Sequence, residues 1–364
     1  MHEFLWRIRD FRCNDNYFSA KGKKMKQFIL GIAALAMVLT AAMNAAASEW
    51  NFYGNARIGT FYEDTEIPGG TDTTSFSEYL HGNSRVGAKV KVSDQLRARF
   101  EYGTGVNVRQ LWGEWNFGGG SLLVGQTYTP LYMGYSSQVW NGDNGLENYG
   151  ACSVSRRPML QLRFGGLKIA AVQPASDDLG TGGTEEISMP KMEISFSSKL
   201  NNLSYEIAGG YNSYELGAGG LSYDVDSWVI GLGAEVKFGA AYLAGNVYTG
   251  ENLGAYGVKT TSDADPVVSG TTLLDNSGLG FILVGGYKFN DMVTVEGGYG
   301  YEESELDNAV QEDDSTSYYI QAKLTLAPGV YITPEIGIAD HGQDSNGVEE
   351  EETVYYGCKW QISF

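Results

Sequence analysis

The last eleven residues of the chain alternate in character. Val354, Tyr356, Cys358, Trp360, Ile362 and Phe364 are apolar or aromatic, while Tyr355, Gly357, Lys359, Gln361 and Ser363 between them are mostly small or polar. A β-strand sends successive side chains to opposite faces, so one side of this segment can meet lipid and the other water. Repeated along the chain, such a dyad predicts an all-β fold, a 16-stranded antiparallel transmembrane β-barrel with short periplasmic turns and long extracellular loops.

Turn chemistry sets the strand count. Residues that accept a left-handed backbone or preset a turn fall at 93–95, 118–120, 165–166, 201–202, 239–240, 290–291 and 328–329, each between two alternating runs. Seven such turns join seven hairpins, and one strand at each end, near 50–62 and 353–364, completes sixteen. Long polar loops are expected near 63–79, 131–156, 175–188, 214–224, 250–277, 304–315 and 340–352, with a very short one at 103–105. Within the hairpins Val86, Ala88, Val90 and Val92 alternate with Arg85, Gly87, Lys89 and Lys91. A Lys or Arg at the bilayer midplane costs about 2–4 kcal/mol, so the basic set must face inward. Arg109 stays ambiguous, because Leu111, Trp115 and Phe117 share its parity. A soluble β-sandwich or propeller would also alternate, but usually lacks aromatic strand ends on its outer face.

The front of the chain reads as a leader. From Met25 a lysine precedes an apolar run from Phe28 to Ala42, and Ala45-Ala46-Ala47 offers a small-residue cleavage site. Residues 25–47 are therefore expected to be a signal peptide, 1–24 an over-extended start, and 48–364 the barrel domain. Seven of the 25 basic and three of the 44 acidic residues fall in 1–47, which leaves 18 against 41 and a formal charge of −23. So acidic a chain is a poor nucleic-acid binder. Cys152 is placed in a loop and Cys358 on a lipid-facing position, which argues against a disulfide.

Two segments carry a family resemblance. The C-terminal Trp360-Gln361-Ile362-Ser363-Phe364 resembles the terminal signal of Gram-negative outer-membrane proteins, in which the barrel-assembly machinery reads the final Phe. Residues 121–132 (SLLVGQTYTPLY) are similar to the fifth strand of the general, trimeric-type porins. The resemblance implies a third loop, 133–156, folded into the barrel, with Asp143 and Glu147 as its acidic side, and Trp140 and Tyr149 available to pin it. It also implies the outer membrane as location, lipid and lipopolysaccharide as surroundings, a homotrimer, and passive diffusion of small hydrophilic solutes and ions. The second loop, which latches neighbouring subunits in many general porins, is reduced here to about three residues.

Charge placement leads to the same site independently. Eleven basic residues lie between Arg57 and Lys168, and Arg57, Arg85, Lys89, Arg97, Arg99 and Arg163 share the inward parity. Opposite Asp143 and Glu147 they would set a transverse field that passes small polar solutes and rejects large or apolar ones. Arg156 and Arg157, at the return of the loop, are expected to anchor it. The acidic stretches at 63–64, 185–186, 302–303, 312–314 and 349–352 read as a solvated outer face. They could bridge to lipopolysaccharide phosphates through divalent cations, and would raise cation concentration at the mouth, giving a weak cation preference. No Ser-His-acid pattern, metal-ligand spacing or dinucleotide motif is found, so neither an enzyme nor a cofactor or metal site is expected. The alternatives are a non-conducting surface barrel acting as adhesin or anchor, and a substrate-selective channel.

Overall fold

Each tight turn is a point where the backbone must reverse within two or three residues, and the chain supplies residues that can do so. Gly165, Asn201, Gly239 and Gly329 have φ of 59°, 54°, 63° and 82°, left-handed values that glycine and asparagine adopt at little cost. The computed structural model describes residues 48–105 and 107–364; the expected leader and the stretch before it lie outside the described residues.

Among the described residues, sixteen antiparallel strands form the barrel. They are β1 (Glu49–Glu66), β2 (Thr73–Leu80 continued by Arg85–Lys91), β3 (Leu96–Gly103), β4 (Val108–Asn116), β5 (Ser121–Tyr128), β6 (Arg156–Phe164), β7 (Leu167–Val172) and β8 (Lys191–Leu200). They continue as β9 (Leu203–Ala218), β10 (Leu221–Phe238), β11 (Ala241–Glu251), β12 (Asn276–Lys288), β13 (Val293–Leu306), β14 (Asp313–Ala327), β15 (Val330–Asp340) and β16 (Glu352–Ser363). Neighbours in sequence are neighbours in the sheet, and β16 returns to β1 in register from Asn55 opposite Ser363 to Glu66 opposite Glu352. Closure leaves no strand edge facing lipid, where each unpaired backbone group would cost several kcal/mol. Phe364 finishes the seam: its N–H donates to the Gly54 carbonyl at 3.0 Å, and its own carbonyl accepts from the Gly54 N–H at 2.7 Å.

The alternation sorts side chains as expected. Phe52, Val86, Leu160, Ile194, Ile320, Ile336, Trp360 and Ile362 stand on the outer face, while Tyr319, Gln321 and Tyr355 are buried inside. Cys358 faces outward and Cys152 is buried in a loop, both as free thiols.

Three expectations need correction, and one open position is resolved. The first loop is not 63–79, because β1 and β2 pair from Thr65 opposite Thr73 downward, and only 67–72 connects them. The loop expected at 214–224 is the two-residue turn Gly219-Gly220, since β9 and β10 stay paired from Leu203–Val236 to Ala218–Leu221. Polar side chains at these strand ends follow from protrusion into water, not from loss of pairing. Arg109 resolves inward: the register slips between Glu101–Gln110 and Tyr102–Val108, and this bulge re-aims it while Leu111 stays outside. Glu302 and Asp313, read as part of a solvated face, are buried on the inner wall.

An arginine at outward Ile320, half-way along β14, is expected to lower the unfolding free energy in lipid vesicles by about 2–4 kcal/mol. The same residue at inward Thr325 should cost less than about 1 kcal/mol, and equal costs in a urea titration would contradict the assigned faces.

Candidate functional site

Between β5 and β6 lies a 27-residue segment, 129–155, that crosses to inward side chains on the far wall. Its tip, Asn141-Gly142-Asp143-Asn144-Gly145-Leu146, has left-handed backbone at all positions but Asn144. Asn, Asp and Gly tolerate that conformation best, so the tip sequence permits a tight coil. Leu146 adopts it with φ of 61° and is wholly buried, so packing holds it there. Around it Val139, Trp140 and Tyr149 form an apolar cluster with Phe61, Ile282, Val284 and Tyr355 of the wall. Trp140 stacks on Tyr355 with centroids 4.3 Å apart, and its indole N–H donates to Glu63 at 2.8 Å.

Backbone N–H groups of the segment end on wall carboxylates. Glu335 of β15 accepts from Val139 N–H at 2.7 Å and Trp140 N–H at 2.9 Å. Glu296 of β13 accepts from Ser137 N–H at 2.8 Å and from the Tyr319 hydroxyl at 2.6 Å. Glu193 of β8 accepts from Leu131 N–H at 3.3 Å. Hydrogen bonds to an ionised group are worth about 1.5–3 kcal/mol each, roughly twice a neutral one. On β13, Gly300 gives the segment room, because a side chain there would run into the Tyr149 carbonyl oxygen.

These carboxylates replace the expected anchors. Arg156 instead donates to the Tyr128 hydroxyl at 2.9 Å, a residue paired with it across β5 and β6. The Arg157 side chain makes no hydrogen bond or ion pair among the described residues.

The predicted acidic and basic residues meet only in part. Asp143 ion-pairs with Arg57 on one carboxylate oxygen and with Lys359 of β16 at 2.7 Å on the other. His81 Nδ1 stands 3.5 Å from the same carboxylate. Burial pushes the Asp143 carboxyl upward, but His81 and the positive charges of Lys359 and Arg57 outweigh it and hold it well below the usual carboxylate range. The four-residue break in β2 brings His81 and Asn83 to this point. There the Ser84 hydroxyl accepts the Arg57 N–H at 2.9 Å, and the Asn83 amide donates to the Gly142 carbonyl at 2.9 Å.

Glu147 does not face this group; it ion-pairs with Lys259 of the loop between β11 and β12. Arg85 donates to the Asn83 carbonyl and stands 3.4 Å from Glu101. Glu101, fully buried, also takes Arg99 at 2.7 Å and Arg109 at 3.0 Å. Arg97 and Arg163 share Glu114, at 2.6 and 3.5 Å. Lys89, with Arg97, Arg99 and Trp112, lines a separate space of about 360 Å³. The six basic residues thus form a ladder, with only its upper members, Arg57 and Arg85, beside the segment.

A polar cavity of about 440 Å³ remains between the segment and the wall. Its charged lining is Arg57, Arg85, Arg156, Lys259 and Lys359 against Asp143 and Glu147. Sequence reasoning missed Lys259 and Lys359. Lys359 was legible, since it has the inward parity of the final strand; Lys259 lies in a loop with no period to read.

The profile of the Gram-negative porin family matches residues 33–343, and the chain belongs to that family. Its barrel is an integral, multi-pass channel fold of the outer membrane. The outer membrane channel DcaP of Acinetobacter baumannii is similar over 89% of this chain and 100% of its own, with 16% identity and a TM-score of 0.70. OmpT of Vibrio cholerae in a trimer form is similar over 88% and 100%, with 17% identity and a TM-score of 0.56. An anion-selective porin from Comamonas acidovorans is similar over 86% and 100%, with 14% identity and a TM-score of 0.56. At these identities the likeness is one of fold. No curated protein sequence matches this chain.

Asp143→Asn leaves two almost buried cations facing a neutral amide. The segment's docking is expected to weaken by about 3 kcal/mol, seen as frequent stepping in single-channel current at neutral pH. Because the folded carboxyl titrates below its unfolded value of about 3.9, its contribution is full above that value. The contribution fades only as pH falls toward the lowered one. The difference between Asp143→Asn and the unsubstituted protein should therefore stay constant from pH 7 to about 4; a difference that already shrinks near pH 6 would contradict this assignment.

Proposed function

We propose that the barrel is a water-filled channel for passive diffusion of small hydrophilic solutes and ions, constricted where segment 129–155 approaches the arginine-bearing wall of β1 and β2. The observation that carries this reading is Asp143, held by Arg57 and Lys359 next to a charged cavity. A segment bound at Glu193, Glu296 and Glu335 is fixed well enough to define an aperture, and water between opposed charges is what a hydrophilic solute needs. The chain acts as a channel in this reading, without catalysis or cofactor.

Charge in the aperture favours anions. Five cationic side chains against two anionic ones line the cavity, while the acidic outer loops are separated from a permeating ion by screening over about 8 Å at physiological salt. Groups that the solute must pass in contact outweigh more distant ones in water. This reverses the weak cation preference that the acidic loops alone suggest. The Comamonas porin of the same fold is anion-selective.

A homotrimer is the assembly we infer, with support from the trimer form of the Vibrio protein. The residues joining β3 to β4 number only four, so contacts other than a long second loop would have to hold it. Phe364, Ile362 and Trp360, on the closing strand and pointing outward, are accessible for reading by the assembly machinery before the seam closes. The outward apolar band meets lipid, and the exposed acidic loop ends would meet lipopolysaccharide.

Planar-bilayer recording of the membrane-extracted protein tests the reading. Stable ohmic steps with a reversal potential favouring anions in a potassium chloride gradient are expected, and Asp143→Asn with Glu147→Gln should change both conductance and selectivity. A silent protein would favour the adhesin or anchor alternative. Saturable block by one solute class would favour a substrate-selective channel.

A further inference from the structure

The loop between β11 and β12, residues 252–275, reads in sequence as one more acidic outer loop, yet its first third is buried. Leu253, Ala255, Tyr256 and Val258 are almost wholly covered. Asn252 and Gly257, both left-handed at φ of 54° and 90°, bracket a single helical turn, Leu253–Tyr256, which turns the chain inward. Leu253, Tyr256 and Val258 share one apolar cluster with Met133 and Cys152 of segment 129–155 and with Val229 and Tyr248 of the wall.

Polar contacts repeat the pattern. The Tyr256 hydroxyl donates to Glu193 at 3.2 Å, the carboxylate that also accepts Leu131 N–H, so one acid ties both loops to β8. Lys191, fully buried, donates to the Tyr256 carbonyl at 3.0 Å. Gly210 of β9 makes the seat, since a side chain there would occupy the position of the Tyr256 hydroxyl. Beyond the turn, Lys259 N–H donates to the Ser153 carbonyl at 3.0 Å, and the Thr261 hydroxyl donates to the Asn148 carbonyl at 2.7 Å. The two loops are therefore joined backbone to backbone at Lys259 and side chain to backbone at Thr261.

From this geometry we propose that loop 252–275 is the second half of the constriction, and that Lys259 is a selectivity-determining residue whose ammonium group neutralises Glu147. The inference rests on the channel reading above and adds a residue to it. Lys259 lines the same cavity as Arg57 and Arg85 and keeps 42% of its side chain exposed there, while Glu147 keeps 18%. Were Glu147 unpaired, its charge would stand in the aperture beside Asp143. With Lys259 across from it, Arg85 and Arg156 have no acidic counterpart on the loops, and the aperture presents a positive excess. Docking by Glu193 and Ser153 fixes where that ammonium sits, so the loop acts as a positioning frame and not as a freely moving flap.

The test is the reversal potential of membrane-extracted protein in a potassium chloride gradient, for Lys259→Gln, Lys259→Arg, Glu147→Gln and the Lys259→Gln, Glu147→Gln pair. Each variant is first checked as a folded barrel by heat-dependent gel mobility. Lys259→Gln is expected to shift the anion-to-cation permeability ratio toward cations by about twofold or more, and Glu147→Gln to shift it the opposite way. The double variant should return close to the starting ratio, and Lys259→Arg should hold it, since charge at this position is what counts. Conducting channels whose ratio is unmoved by Lys259→Gln and Glu147→Gln would overturn the role of Lys259 while leaving the channel reading intact. Absence of current in every folded protein would remove the channel reading and this inference together.

Discussion

The pairing of β1 with β16 is the constraint on which the rest of this molecule depends. Inside a hydrocarbon layer the backbone has no solvent partner, so an open sheet would expose two rows of N–H and C=O groups at several kcal/mol each. Twelve consecutive residue pairs, from Asn55–Ser363 to Glu66–Glu352, remove both rows at once. Closure also creates an inside. Only when the sheet meets itself do Arg57, Lys359 and Tyr355, carried by the first and last strands, stand side by side around a common space. Asp143 therefore sits on the seam, where it bridges one cation from β1 and one from β16.

The interior follows a second rule, that a buried charge needs partners. Glu101, Glu193, Glu296, Glu302 and Glu335 are all nearly or fully buried, which in isolation would be prohibitively costly. Each is satisfied. Glu101 takes three arginines from β2, β3 and β4, whereas the other four take backbone N–H or hydroxyl donors, chiefly from the two inward loops. Irregular stretches of a loop carry unpaired N–H groups, and these acids are where such groups can go. Loop and wall thus need each other, which explains how polar segments stay ordered within a wide barrel.

Much of the fold was legible because a barrel repeats one instruction. Alternation at Tyr318–Leu326 or Val354–Phe364 fixes which side faces lipid, and Gly165, Asn201 or Gly329 fixes where the chain turns. Errors gathered where that instruction stops applying. Polar outward residues such as Asp64 and Glu215 belong to strands that run beyond the membrane, where outward positions meet water and lose their apolar mark. Arg109 shares parity with Leu111, yet a bulge between them breaks the count.

The candidate site was legible as a set of charges but not as a set of pairs. Residue type and parity select Arg57, Arg85, Asp143 and Glu147. They do not tell that Asp143 meets Lys359, that Glu147 meets Lys259, or that Arg97, Arg99 and Arg163 are occupied by Glu114 and Glu101. Composition and period by themselves determined a sixteen-stranded amphipathic barrel with a charged inner wall, since the two solvents act on every residue separately. Tertiary structure alone decided that loop 252–275 joins segment 129–155 against the inner wall, and which charges the two meet. Those contacts join residues as far apart as Asp143 and Lys359, and their free energy arises only when closure has brought the partners within a few ångströms in a space that excludes most water.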